Sequence, residues 1–138
     1  MLPERPGRRQ FLALLAGCAG ALLTSGRAAA LVRPRGVAHP EPRPGITAAN
    51  VLKAEALPPE LVELYDGVRR IPQVVDGISC HCGCDGLEGF YSLLTCYEQS
   101  GMALHCEVCQ GEGELAVRLH AQGRTLDEIR TAIDRRFG

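Results

Sequence analysis

The 138-residue chain has no tryptophan and only three phenylalanines and three tyrosines, so large aromatic side chains can supply little of its core. It also lacks a charge excess, with a formal net charge of −1. From Thr47 to Gly138 there are eight Lys/Arg against fourteen Asp/Glu, with no basic stripe and no interleaved aromatics. That balance argues against nucleic-acid binding. The apolar run from Phe11 to Leu23 is thirteen residues long, short of the roughly 20 that a mature membrane-spanning helix needs. No alternating strand pattern of useful length is present. No Ser/His/Asp set, nucleotide loop or paired-carboxylate frame appears either, so no catalytic residue is assigned and the chain reads as a binding protein rather than an enzyme.

The N-terminal third has the layout of an address. "RPGRRQFLALLAGCAGALLTSGRAAA" joins a basic start, an apolar stretch and a small-residue end, the three parts of an export signal over residues 1–30. Arg8-Arg9 followed by Gln10, Phe11 and Leu12 resembles a twin-arginine signal, the route that carries folded proteins. Two processing readings stand side by side. "LAGC" looks like a lipobox that would make Cys18 a lipidated first residue, whereas "RAAA" offers a cut after Ala30. Either one places the domain in the periplasm or on the outer face of the cytoplasmic membrane, with a lipid anchor as its only membrane contact. Residues 31–46 hold four prolines and no apolar periodicity and read as an extended tether, in which His39 is expected to be solvated without a role.

Residues 47–138 read as a small all-α helical bundle with one long Cys/Gly-rich metal-binding loop. Prolines at 58 and 59 suit a helix start, and Leu61, Leu64, Tyr65 and Val68 share one face. Pro72 should then break or offset the helix. "GFYSLLTCYEQSG" predicts a short helix carrying Cys96 and ended by Gly101. A further helix is predicted from Glu107 to about Gln122, although Gly111 and Gly113 weaken its propensity. The last helix follows Gly123: Thr125 is its N-cap, Glu128 completes a capping box, and Leu126, Ile129, Ile133 and Phe137 form the buried stripe.

Seven cysteines occur in this short chain. Residues two apart in an extended or turning segment point to one side, so Cys80, Cys82 and Cys84 can converge. A disulfide between neighbours at that spacing would be strained, and convergent thiolates suit a soft metal better. Cys106 and Cys109 form a Cys-x-x-Cys pair at a helix start, where the dipole favours thiolates. Gln110 excludes a haem attachment motif, and no strand-helix-strand frame supports a thioredoxin-type site. With Cys96, and with His81 and His105 as further candidate ligands, the set exceeds what one tetrahedral zinc needs and fits a Cu(I)–thiolate cluster. His120, Asp85, Glu88 and Glu107 are expected at the surface.

Cys80-His81-Cys82-Gly83-Cys84, Ser92 to Tyr97, His105 to Cys109, and Gly123 with Glu128-Ile129-Arg130 and Ile133-Asp134 together resemble the PCYCGC-motif family of exported bacterial proteins. The resemblance spans roughly Ile71 to Gly138. Ser79 and His81 depart from it, standing where the family has proline and tyrosine. It implies a cysteine framework and an envelope location, often as a lipoprotein, without an activity. The expectation is therefore an exported metal-binding protein that stores, buffers or delivers Cu(I) to an envelope partner. Zinc and iron–sulfur centres use the same ligand type. Two alternatives remain open: a thiol-disulfide redox protein using Cys106 and Cys109, and a small domain stapled by zinc or disulfides.

Overall fold

The computed structural model describes residues 38–99 and 101–138. The expected signal, Cys18 and the first part of the tether lie outside them. Among the described residues there are helices and turns and no strand. No helix among them is long and apolar enough to cross a membrane.

Pro58 and Pro59 open a 3-10 turn at Pro59–Leu61 that runs directly into helix α1, Val62–Arg70. Their fixed φ suits a first turn whose N–H groups have no partner anyway. Tyr65 and Val68 are fully buried from this helix, and Gly67 lets it press on the helix carrying Val117, whose methyls would stand 3.0 Å from an added Cβ. At Ile71 the backbone leaves the helical region, and Pro72 starts the short helix α2, Pro72–Asp76. The expected break falls there because proline offers no N–H to the preceding turn.

Helix α3, Glu107–Ala121, and helix α4, Leu126–Phe137, pack on each other and enclose the core with α1. The cap of α4 forms as predicted: Thr125 Oγ1 accepts from Glu128 N at 3.3 Å, and Thr125 N donates to Glu128 Oε2 at 2.9 Å. Ile129 and Ile133 are wholly buried, while Leu126 and Phe137 lie half-buried at the ends of the stripe. Gly113, which lowers helix propensity, is there for packing. The Tyr97 hydroxyl sits where a Cβ would be and donates to Cys109 O at 2.7 Å. Tyr97 also meets Tyr65 edge to face at 4.9 Å.

The segment bearing Cys96 is a 3-10 turn, Leu93–Tyr97, rather than a helix. It ends at Glu98, four buried side chains having been placed in five residues. Gly101, at φ +56, precedes another short 3-10 turn, Met102–Leu104, instead of ending a helix.

The tether reading fails for the part that is described. Residues 38–46 are extended and proline-rich, but they are laid along the domain. Asp76 is fully buried, and Arg43 meets it with its backbone N at 2.7 Å and Nη2 at 2.7 Å, while Ser92 Oγ donates at 2.7 Å. Arg43 also reaches Glu98 at 3.0 Å and stacks over Tyr91 at 4.8 Å. Arg130 donates to Pro40 O at 2.8 Å, and Ile46 joins the core. Proline content forbids a helix here but not packing, and a buried carboxylate requires a cation.

Burial alone would raise the Asp76 carboxyl, but the hydrogen bonds from Arg43 and Ser92 hold it below its ordinary value. A lowered folded value contributes stability that is present above about pH 4 and is lost as pH falls through the folded value. Arg43→Ala should cost about 2–4 kcal/mol at pH 7, since it leaves a buried charge without its partner. In urea melts, the gap between wild type and this variant should narrow as pH falls below about 4; a gap independent of pH would show that the ion pair is not its source.

Candidate metal centre

Three stretches of chain deliver sulfur to one place. The first is the loop after α2, anchored by the fully buried Ile78, whose carbonyl accepts from Leu93 N at 2.7 Å. It carries Cys80 and Cys82. The second is the turn Leu93–Tyr97, which buries Cys96. The third is the start of α3, where Cys106 is the N-cap, its sulfur accepting from Cys109 N at 3.4 Å, and Cys109 lies one turn in and wholly buried.

The sulfurs of Cys80, Cys82, Cys96 and Cys109 all lie within 4.8 Å of one another, and Cys80 and Cys109 are 3.5 Å apart. Four sulfurs each about 2.3 Å from one tetrahedral ion would stand about 3.8 Å apart. The group is thus near the size of a four-thiolate site, and it is positioned to hold a metal ion.

Its electrostatics fit the same use. Contact with Cys109, burial and the nearby Glu112 carboxylate push the Cys80 thiol well up, against a lowering contribution from Cys96. Cys96 is lowered by Cys109, but Cys80 and burial prevail and the thiol ends well above its ordinary value. Cys109 is lowered by Cys80 and raised more by Cys96 and burial. Three thiols in contact, out of water, keep their protons unless a cation arrives, because crowded anions are disfavoured there. Two other buried groups border the sulfurs. The Tyr65 hydroxyl, pushed up to about 12 by burial and then by Cys109 and Cys96, has no hydrogen-bond partner, and neither does Glu112 Oε2. Such orphans in a buried site point to an interaction that the protein alone does not complete.

Several expected ligands stand elsewhere. His81 Nδ1 lies 2.5 Å from Glu112 Oε1 and its Nε2 lies 3.0 Å from Asp134 Oδ1, so both ring nitrogens are engaged by carboxylates and none is left for a metal. His105 is exposed and outside the sulfur group. Cys106 and Cys84 are also outside the group of four, Cys106 adjoining it through Cys109. Cys84 is paired with Cys82 in a disulfide, the neighbour pairing that spacing alone disfavours. Gly83 between them, at φ +86, takes a left-handed turn that other residues rarely adopt and so brings positions 82 and 84 together. His120, Asp85, Glu88 and Glu107 are exposed, as expected.

Two residues of the site were not anticipated. Glu112 is fully buried and accepts from His81 N at 2.9 Å as well as facing its ring. Its signal is readable: it stands three residues after Cys109 and four before Ala116, in the interior stripe of α3, where a carboxylate needs a reason. His39 accepts from Ser79 N at 3.0 Å through Nδ1 and meets Asp134 at 3.1 Å through Nε2, so it is no solvated tether residue. No pattern around it in the sequence reveals that.

No family model, curated protein or solved structure matches the chain. What the site does must be read from its own chemistry.

Removing the Glu112 carboxylate would leave the His81 backbone N–H and ring buried without their acceptor. Glu112→Ala should therefore cost about 2–4 kcal/mol in urea unfolding of the reduced protein, and Glu112→Gln, which keeps an acceptor, clearly less. Equal losses in the two would mean that charge, not the hydrogen bond, holds the loop.

Proposed function

We propose that this is an exported metal-binding protein that takes up Cu(I) through thiolates and stores, buffers or delivers it in the cell envelope. The observation that carries the reading is the convergence of four sulfurs, from three separate stretches, in a buried site bordered by two partnerless polar groups. All four donors are soft and no imidazole joins them, a set that selects Cu(I), zinc or iron–sulfur centres over hard cations. Cys106, beside Cys109, adds a fifth sulfur at the edge, and thiolates that bridge let such a set take more than one monovalent ion. The signal-like N-terminus and the resemblance to the PCYCGC-motif family support an envelope location, where copper is handled. Binding Cu(I) would displace the thiol protons and supply the positive charge that this crowded site lacks.

A second reading, a structural staple, is favoured by the Cys82–Cys84 disulfide and the modest size of the domain. The redox alternative through Cys106 and Cys109 draws less support, because Cys109 is wholly buried and its thiol is pushed up rather than down.

Native mass spectrometry of the reduced, anaerobic protein, offered Cu(I) and Zn(II) against a chelator, separates these readings. Two or more Cu(I) per chain is expected. Cys96→Ser and Cys109→Ser should weaken uptake by about 100-fold or more, whereas His105→Ala should leave it unchanged. A single zinc whose removal unfolds the domain would establish the staple, and a chain that binds neither metal would end the metal reading.

A further inference from the structure

Cys82 stands in two arrangements that exclude each other. Its sulfur is one of the four that converge, and it is bonded to Cys84. A sulfur in a disulfide is not a thiolate and does not serve as the fourth anionic ligand. The other three members, Cys80, Cys96 and Cys109, are free thiols and buried. The oxidised loop therefore presents three ligands, and the reduced loop four.

We propose that the Cys82–Cys84 disulfide is a reducible site for an external dithiol, and that its reduction completes the metal centre. This rests on the four-sulfur reading above. Access favours one direction of attack: Cys82 is partly exposed while Cys84 is buried at 3 %. A donor thiolate attacks the Cys82 sulfur, the Cys82–Cys84 bond breaks, and Cys84 leaves as a thiolate that takes up a proton. The donor's second thiolate then attacks the mixed disulfide and releases Cys82. Two electrons have passed to the cysteine pair, and the donor has become a disulfide. The freed Cys82 sulfur has little distance to cover, because it already lies within the 4.8 Å group. Run backwards, with the disulfide form of the dithiol partner as the oxidant, the exchange re-forms the Cys82–Cys84 bond, returns the partner to its dithiol and withdraws one ligand, which gives release of the metal a chemical trigger. Gly83, in its left-handed turn with nothing within 4 Å of an added Cβ, is the residue that lets the loop form the disulfide.

The test uses the full chain and Co(II), whose visible spectrum reports tetrahedral thiolate ligation. Protein purified without reductant, with the Cys82–Cys84 bond confirmed by peptide mapping, is compared with the same protein after treatment with a dithiol that is then removed anaerobically. The oxidised form should bind Co(II) about 100-fold or more weakly and without the four-sulfur spectrum, and the reduced form should show it. Cys84→Ser, purified without reductant, should bind Co(II) without any pretreatment. Equal binding by oxidised and reduced protein would overturn the gate while leaving the metal site standing. So would mapping that finds Cys82 and Cys84 unpaired after air exposure, or a Cys84→Ser chain that still needs the dithiol. Absence of binding by both the reduced protein and Cys84→Ser would remove the metal site itself, and the gate with it.

Discussion

The arrangement depends on one buried contact, the carboxylate of Glu112 against the loop at His81. A loop rich in glycine and cysteine has little apolar surface with which to hold itself in place, and ordering it costs roughly 1–2 kcal/mol per residue. Glu112 offsets part of that by accepting from both the backbone and the ring of a single residue. His81 sits between Cys80 and Cys82, so fixing it fixes the direction of both sulfurs. Its other nitrogen, on Asp134, ties the loop to α4, and His39 ties Asp134 to the extended segment before the first turn. His81 and His39 brace the loop that carries the sulfurs, and both ring nitrogens of each are already engaged.

The same contact sets the charge of the site. The thiols of Cys80, Cys96 and Cys109 are pushed up by one another and by burial, and Glu112 adds a carboxylate beside Cys80. An interior of this kind resists becoming more negative. A metal ion held among these sulfurs would resolve the conflict from the middle: it would replace the thiol protons, its charge would offset the thiolates, and the sulfurs would become better acceptors for a hydroxyl such as that of Tyr65.

Local patterns were legible in the sequence, and long-range ones were not. The cap at Thr125 and Glu128, the break at Pro72 and the stripe of α4 all depend on neighbours within a turn or so, and each is where the pattern puts it. Sulfur in such density has few uses, which grouped all six cysteines of the domain, but density does not tell Cys80, Cys82, Cys96 and Cys109, which converge, from Cys84 and Cys106, which stand outside. The pairs that make the site a site span far more chain: His81 and Glu112 are 31 residues apart, Arg43 and Asp76 are 33, and His81 and Asp134 are 53. Nothing local marks a histidine as claimed by two carboxylates, so His81 looks like a ligand until its partners are seen. Proline-rich composition likewise hides the packing of residues 38–46, since periodicity is the signal of a core helix and an extended segment docked by single side chains has none. The disulfide escaped for a related reason, because spacing alone does not disclose a left-handed glycine.

Where the hydrophobic core lies bears on whether a metal here is a staple or a cargo. Tyr65, Val68, Val75, Ile78, Leu93, Leu94, Ile129 and Ile133 are all wholly buried, and they come from every helix but α3, which adds Ala116. Asp76, two residues before Ile78, forms a second, polar anchor with Arg43 and Ser92. A classical staple is the main thing holding its small fold together, and such folds collapse without it. This domain has a core and a buried ion pair of its own, and the sulfurs occupy the junction of the loop, the turn Leu93–Tyr97 and the first turn of α3. A metal at that junction would tighten three elements that are already attached. Its loss would loosen the loop and leave the rest folded, which is the condition under which an ion can be taken up and given away repeatedly.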